Sequence, residues 1–526
     1  MTMPRVLISD KLSPRAVEIF ERKGVEVDVK TGLDPEELKS IIGDYDGLAV
    51  RSATKPNADI LAAADNLKVI GRAGIGVDNI DIAAATARGI CVMNTPFGNS
   101  ITTAEHAIAL MFALARQVPQ ANESTHQGKW EKSRFMGVEL HNKVLGLIGC
   151  GNIGSIVASK AVGMGMKVIA HDPYLSVDRA TELGVEKVEL DDLLARADVI
   201  SLHTPLTDAT RNILSADALA KTRPGVRIVN CARGGLIDED ALKTHLDSGH
   251  IGGAALDVYA SEPAREHPLF GNDKVICTPH LGASTSEAQE NVALQVAEQM
   301  ADFLLTGAVT NALNMPSVSA EEAKRLKPYM DLAEQLGGFM GQVVGSSLKS
   351  IEVEYSGAAA KLNTKPLTAI ILKAVLGPAM DSVNMVNAPV IAAERDIEVS
   401  ETTCATGRNY ISTIALKIRT EATSRTITGT LLAEKPRIVD LDGVHLEAGV
   451  SPHMLYVQNE DKPGLIGDLG TMLAGGGINI ASFDLGRVGA GDKAVCLVSV
   501  DQPIDDTLFD QIASLNSVQI ARRLQF

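Results

Sequence analysis

His280 stands between a proline and the dipeptide Leu-Gly in the stretch TPHLGAST (278–285), directly after the short apolar run KVI. Three residues of complementary chemistry follow similar runs: Arg233 comes after RIVNCA in CARGGLID, and GAALDVYASEP supplies Asp257 and Glu262. A histidine can take or give a proton at a reacting oxygen, and an arginine can hold a neighbouring carboxylate. A glutamate beside the imidazole favours its protonated form. Together they suit hydride transfer between an alcohol carbon and a nicotinamide, where a proton must leave or join the oxygen as the hydride moves. The chain has eleven histidines, most of which must serve structure or face solvent. His280 is singled out because all three groups fall at the carboxyl ends of predicted strands, where ligands of open α/β sheets bind.

A cofactor loop lies upstream. VLGLIGCGNIGS places Gly149, Gly151 and Gly154 in a G-x-G-x-x-G spacing between an apolar strand and a helix. Such glycines allow a tight turn and close approach of backbone to a pyrophosphate, which the helix N-terminus then favours electrostatically. The next strand, KVIAHD, ends in Asp172, 18 residues beyond the last glycine. A carboxylate there accepts from the ribose hydroxyls of NAD and repels a 2′-phosphate, so NAD is the expected cofactor. The first part of the chain holds cations at adjacent strand ends: Arg51 after GLAV, followed by Lys55, and Arg72 after LKVIG, followed by the loop AGIGVDN. Two arginines so placed form a plausible phosphate clamp.

The elements that must position these residues are legible as alternation. Residues 5 to about 97 interleave short apolar strands with helical stretches, which predicts a parallel sheet with helices on both faces. From Lys143 to 277 a second series predicts a second doubly wound sheet. Long helices at about 101–118 and 285–306 flank it, each with a capping-box pattern, Thr102-x-x-Glu105 and Ser284-x-x-Glu287. The expected architecture is therefore α/β, with the second unit (99–284) inserted into the first (1–98 and 285–316). The segment NMPSVSAEEAKRLKP marks a boundary near 316. Residues 317–450 mix helical and β-like runs into an α+β unit, and 451–526 read as strand, helix, strand, strand, helix, strand, a ferredoxin-like unit.

Bulk properties restrict the partners. A chain of 526 residues exceeds one compact core, and a net charge of −16 opposes any extended nucleic-acid or acidic-membrane surface. Six cysteines without a C-x-x-C pair argue against disulfides or a zinc site, so no metal is expected. The N-terminus has no apolar signal region, and HAIALMFALA is too short to span a bilayer. A cytoplasmic location is expected.

The combination GCGNIG, HDPY, NCARGGLID, LDVYASEP and TPHLGAST resembles the D-2-hydroxyacid dehydrogenases. With VRSATK, GRAGIGVDNID and the C-terminal unit, the resemblance narrows to their long form. It implies a Rossmann-type NAD domain inserted into a flavodoxin-like substrate domain, then an intervening allosteric domain and a C-terminal ACT domain. It implies that Arg233, Glu262 and His280 are catalytic. NAD would be held by Gly149, Gly151, Asn152, Ile153, Gly154, Asp172, Thr204, Cys231, Ala232, Asp257, Gly282 and Ala283. Arg51, Arg72, Asn99, Arg233 and His280 would bind substrate. The implied reaction oxidises D-3-phosphoglycerate to 3-phosphohydroxypyruvate, the first committed step of L-serine synthesis. In the ACT-like tail, Asn459, Asp461 and Asn479 match positions that contact serine in regulated relatives, which makes L-serine the expected effector. Relatives place the segment HQGKWEKSRF at a dimer interface, from which Lys132 or Arg134 could reach a neighbour's site, and Lys435 and Arg437 could contribute to an anion site. Paired subunits imply a homotetramer. Two other readings use the same scaffold: a glyoxylate or hydroxypyruvate reductase, and a non-catalytic NADH-sensing protein.

Overall fold

The computed structural model describes residues 3–318, 320–345, 348–380, 383–406, 410–489 and 491–526. Its first sheet has five parallel strands in the order Glu26–Val29, Arg5–Ile8, Gly47–Val50, Val69–Arg72, Cys91–Asn94. This is the flavodoxin-like doubly wound order. The central strand Gly47–Val50 and the edge strand Cys91–Asn94 are buried along their whole length, and so lack polar–apolar alternation.

The second sheet has seven parallel strands, Val275–Cys277, Ile251–Leu256, Val226–Asn230, Val199–Leu202, Val144–Ile148, Lys167–His171, Glu186–Lys187. The chain starts at Val144–Ile148 and winds outwards in both directions, as in dinucleotide-binding folds. The helix Ser286–Thr306 then returns to the first sheet, where Val292, Val296 and Met300 join a core with Val6, Val69 and Met93.

The capping boxes are not those expected. The helix Ser100–Arg116 begins at Asn99 without a side-chain cap, so Thr102 and Glu105 lie inside its first turns. Thr103 there donates to the carbonyls of Asn99 and Gly282. In the helix Ser286–Thr306 the cap is Thr285, whose Oγ1 accepts from the Ala288 N–H at 3.2 Å. Ser284 belongs to the preceding turn, its N–H donating to the Leu281 carbonyl.

Beyond residue 316, the helix Ala320–Val344 packs on a six-stranded sheet in the order Glu398–Cys404, Leu348–Gly357, Ser412–Thr420, Ser424–Leu432, Lys435–Leu441, Val444–Ala448. A four-stranded antiparallel sheet follows, Ile480–Arg487, Lys493–Val500, His453–Glu460, Val518–Gln525. The helices Leu465–Gly475 and Asp506–Ala513 cover one of its faces, in the ferredoxin-like arrangement. Its other face contributes Met454, Tyr456, Val495, Leu497 and Leu524 to the same core as Leu336, Phe339 and Ile351. Val386 packs into the core of the first sheet, and Asn384 Nδ2 donates to the Gly89 carbonyl at 2.9 Å.

Candidate active site

The carboxyl ends of the second sheet supply one residue cluster after another. After Val144–Ile148 the chain turns through Gly149, at φ 94°, a left-handed conformation that glycine adopts without strain. A side chain there would lie 2.7 Å from the His203 carbonyl, and one at Gly154 would collide with the Gly149 carbonyl. Gly151 instead faces open space, beside the N-terminus of the helix Asn152–Gly163 whose first residues are Asn152 and Ile153. Asp172 tightens this turn: its Oδ2 accepts from the Cys150 N–H and its Oδ1 from the Tyr174 N–H, both at 2.8 Å. The Thr204 hydroxyl is buried there without a protein partner. An open glycine turn, a helix N-terminus and an orphaned hydroxyl fit a dinucleotide diphosphate and ribose.

The catalytic candidates converge towards one edge of the sheet, after the strands Ile251–Leu256 and Val275–Cys277. His280 Nδ1 lies 2.7 Å from Glu262 Oε2, and the other Glu262 oxygen accepts from the Tyr259 N–H at 3.0 Å. The hydrogen bond that His280 donates to Glu262 raises the His280 pKa above the ordinary histidine value, against the opposing effect of burial. Burial alone would raise the Glu262 pKa, but the bonds from His280 and the Tyr259 N–H outweigh it and hold it low. His280 itself has φ 54°, a left-handed conformation uncommon outside glycine and asparagine. Its side chain is half exposed, free to meet a substrate.

Asp257, with no solvent exposure, lies beneath this loop. Its Oδ1 accepts from the Thr278 hydroxyl at 2.6 Å and the Leu281 N–H at 2.7 Å, its Oδ2 from the Gly282 N–H at 2.9 Å. The Asp257 carbonyl accepts from the His280 N–H. Cys231 and Ala232 are buried at the end of the neighbouring strand, and Ala283 follows Gly282 in the turn.

Arg233 follows Ala232 and reaches the first unit, its Nε donating to Asp78 Oδ2 at 2.9 Å and its Nη1 to the Ala232 carbonyl at 2.7 Å. Arg72 lies near enough to feel it. Burial, then repulsion from Arg233 and Arg51, lowers the Arg72 pKa to about 10, and its Nε is buried without a partner. Arg51 donates through its backbone to Asp10 at 2.6 Å, while its side chain makes only a long bond to the Lys11 carbonyl at 3.4 Å. Asn99, 8% exposed, carries an orphaned Oδ1. Arg72, repelled by the Arg233 and Arg51 guanidinium groups and with its Nε unused, suits a doubly charged anion.

The tail residues do not converge within one chain. Asn459 is buried with an unpartnered Oδ1, and nearby Asp461 accepts from Arg487 at 3.0 Å. Asn479 bonds Asp501 at 2.6 Å, beside the far end of the strand Lys493–Val500. Arg134 pairs with Glu131 at 3.1 Å on a segment that also exposes Lys132, Trp130 and Met136. Arg437 bonds the Pro436 carbonyl, and Lys435 is exposed. Asp78, Thr278 and His106, whose Nε2 lies 3.2 Å from Asp257 Oδ1, join the site without having been expected there. Spacing alone could have suggested only His106, which stands three residues after Thr103 on one helix face.

Residues 108–282 match the family model for the D-isomer specific 2-hydroxyacid dehydrogenase NAD binding domain. Residues 325–442 match the D-3-phosphoglycerate dehydrogenase intervening domain, and 453–516 the ACT domain. Similar proteins named D-3-phosphoglycerate dehydrogenase include that of Synechocystis, 44% identical over 99% of this chain and 94% of its own. Another is that of Methanocaldococcus jannaschii, 42% identical over 98% and 99%. Among solved structures, a glyoxylate reductase from Paecilomyes thermophila aligns with TM-score 0.56 and 32% identity over 60% of this chain and 99% of that one. D-lactate dehydrogenase from Escherichia coli aligns with 0.53 and 30% over 59% and 100%.

Proposed function

Because this chain belongs to the D-3-phosphoglycerate dehydrogenases, a branch of the D-isomer specific 2-hydroxyacid dehydrogenases, we infer that it oxidises D-3-phosphoglycerate to 3-phosphohydroxypyruvate in the cytoplasm, opening L-serine synthesis. NAD, when bound, supplies the hydride acceptor. The observation that carries the reading is the 2.7 Å His280–Glu262 pair at the same cleft as Arg233, Arg72 and Arg51. In the oxidation, neutral His280 takes the proton of the substrate hydroxyl as hydride leaves the carbon, and Glu262 stabilises the imidazolium that results. In the reverse direction protonated His280 returns that proton. Arg233 holds the carboxylate beside the reacting carbon, which orients the carbon relative to His280. Arg51 and Arg72 neutralise the phosphate.

The arginine cluster favours this substrate over unphosphorylated hydroxyacids, although the dehydrogenase core is also similar to a glyoxylate reductase. L-serine is the proposed effector, bound by Asn459 and Asp461 of one chain with Asn479 of another in a homotetramer. The test follows NADH at 340 nm, formed with D-3-phosphoglycerate or D-glycerate and consumed with glyoxylate, each with and without L-serine. Turnover of the phosphorylated acid should exceed that of D-glycerate by about 10²-fold or more in kcat/KM, as loss of well-placed charged contacts implies. Equal rates would favour the reductase reading, and bound NADH without any turnover would favour a sensor.

A further inference from the structure

We propose that His106 is a positioning residue for the catalytic histidine, acting through the buried carboxylate of Asp257. The inference rests on the dehydrogenase reading above. His280 occupies a left-handed conformation that a β-carbon disfavours, so its surroundings must hold it. The grip is Asp257. Its backbone carbonyl takes the His280 N–H, and its carboxylate takes the next two N–H groups, of Leu281 and Gly282, and the Thr278 hydroxyl. Residues on both sides of His280 are thus tied to one side chain.

That carboxylate has no solvent exposure, and a buried charge persists only when its lone pairs are met. His106 completes the set. Its Nε2 lies 3.2 Å from Asp257 Oδ1 and 3.3 Å from Thr278 Oγ1. His106 projects from the helix Ser100–Arg116 on the same face as Thr103, which stands one helical turn away and donates to the Gly282 carbonyl at 2.9 Å. One rigid helix therefore grips the catalytic loop twice, directly through Thr103 and through the carboxylate by His106. The sulfur of Cys231 also lies within 4.8 Å of the His106 and Asp257 donors. The carboxylate already accepts the Thr278 O–H and the Leu281 and Gly282 N–H groups, which makes the group a hydrogen-bond centre. The contacts of His106 are to Asp257 and Thr278, on either side of the catalytic loop, so its effect on turnover passes through loop geometry.

The experiment compares His106→Gln, whose amide nitrogen can replace Nε2, with His106→Leu and His106→Asn, which cannot. Wild-type enzyme is run alongside with D-3-phosphoglycerate, and NADH binding is measured by fluorescence. Displacing a catalytic group by about 1 Å lowers rates on the order of 10²-fold, so His106→Leu and His106→Asn should lose roughly 30- to 100-fold in kcat, with NADH affinity and substrate KM changed less than about threefold. His106→Gln should stay within about fivefold of wild type. If His106→Leu does not fold, the Asn and Gln pair decides. Equal loss in Gln and Asn variants, an unchanged kcat in the folded Leu or Asn variant, or a loss confined to NADH affinity overturns the proposal. A wild-type enzyme that binds NADH but never turns over overturns the dehydrogenase reading instead.

Discussion

His280 and Glu262 form an acid–base pair whose behaviour with pH follows from their geometry. The hydrogen bond that His280 donates to Glu262 raises the His280 pKa, so the neutral form needed for oxidation appears only at more alkaline pH than an ordinary histidine would require. Replacing Glu262 with Gln removes the charge that stabilises imidazolium. The acid limb of kcat/KM for oxidation should then move to lower pH, towards about 6.5, and the alkaline limb of the reduction should move the same way. Profiles in both directions check this, and unmoved limbs would assign the titration to another group. His280→Asn tests the proton transfer itself more cleanly than His280→Ala, because Asn tolerates the positive φ. Its kcat should fall about 10²- to 10⁴-fold while NADH fluorescence titrations stay near wild type. At this scale strand ends draw attention to His280, Arg233 and Glu262 in the sequence, and the fold brings His280 and Glu262 to 2.7 Å. Asp78 and Thr278 escape such a reading because a single aspartate or threonine carries no spacing signal. Their partners come from segments 155 and 21 residues away.

At the scale of elements, the glycine loop separates two kinds of requirement. Gly154 is needed by the fold, since any β-carbon there would strike the Gly149 carbonyl. Gly151 faces space that the fold leaves open. Gly154→Ala should therefore lower the apo-protein melting temperature, by an overpacking cost of about 1–3 kcal/mol. Gly151→Ala should melt like wild type yet bind NADH more weakly. Melting with and without NADH distinguishes the two, and equal apo stability of both variants would contradict the division. Helix starts were less legible. The Thr102 and Ser284 patterns fit a capping box, but the true boundaries lie at Asn99 and Thr285, because tertiary bonds from Thr103 and within the 281–284 turn set where each helix begins. Of the long helix Ala320–Val344 the stretch AEQLGGFMGQVVG reads as helical in spite of the pair Gly337–Gly338, whereas the part around Pro328 reads as a boundary. Gly337 lies against Ala374 and Ile371 of the adjacent helix. Local propensity opposes a helix there, and close packing overrides it.

Over the whole molecule, the ferredoxin-like unit is fused to its neighbour by more than a linker. Phe339 and Tyr456 meet edge to face at 5.7 Å, and Arg425 joins Asp442 at 2.7 Å to the Tyr456 hydroxyl at 3.0 Å. Deleting 451–526 should uncover apolar side chains, each costing about 1.5–3 kcal/mol. The remainder should then bind a hydrophobic dye and melt earlier in its 317–450 part, and a truncated chain with unchanged melting and no dye binding would refute the fusion. None of this shared core was visible in strand and helix patterns, which report which residues are apolar and not which surface they meet. The four-stranded sheet also separates Asn459 from Asn479, which flank opposite ends of the strand Lys493–Val500, roughly 20 Å apart at about 3.3 Å per residue. No single amino acid can bridge that span, so an effector using both must bind across two chains. Such a ligand acts as a molecular staple, and the law of mass action then couples its occupancy to subunit association: feedback would tighten as the enzyme accumulates and slacken as it is diluted.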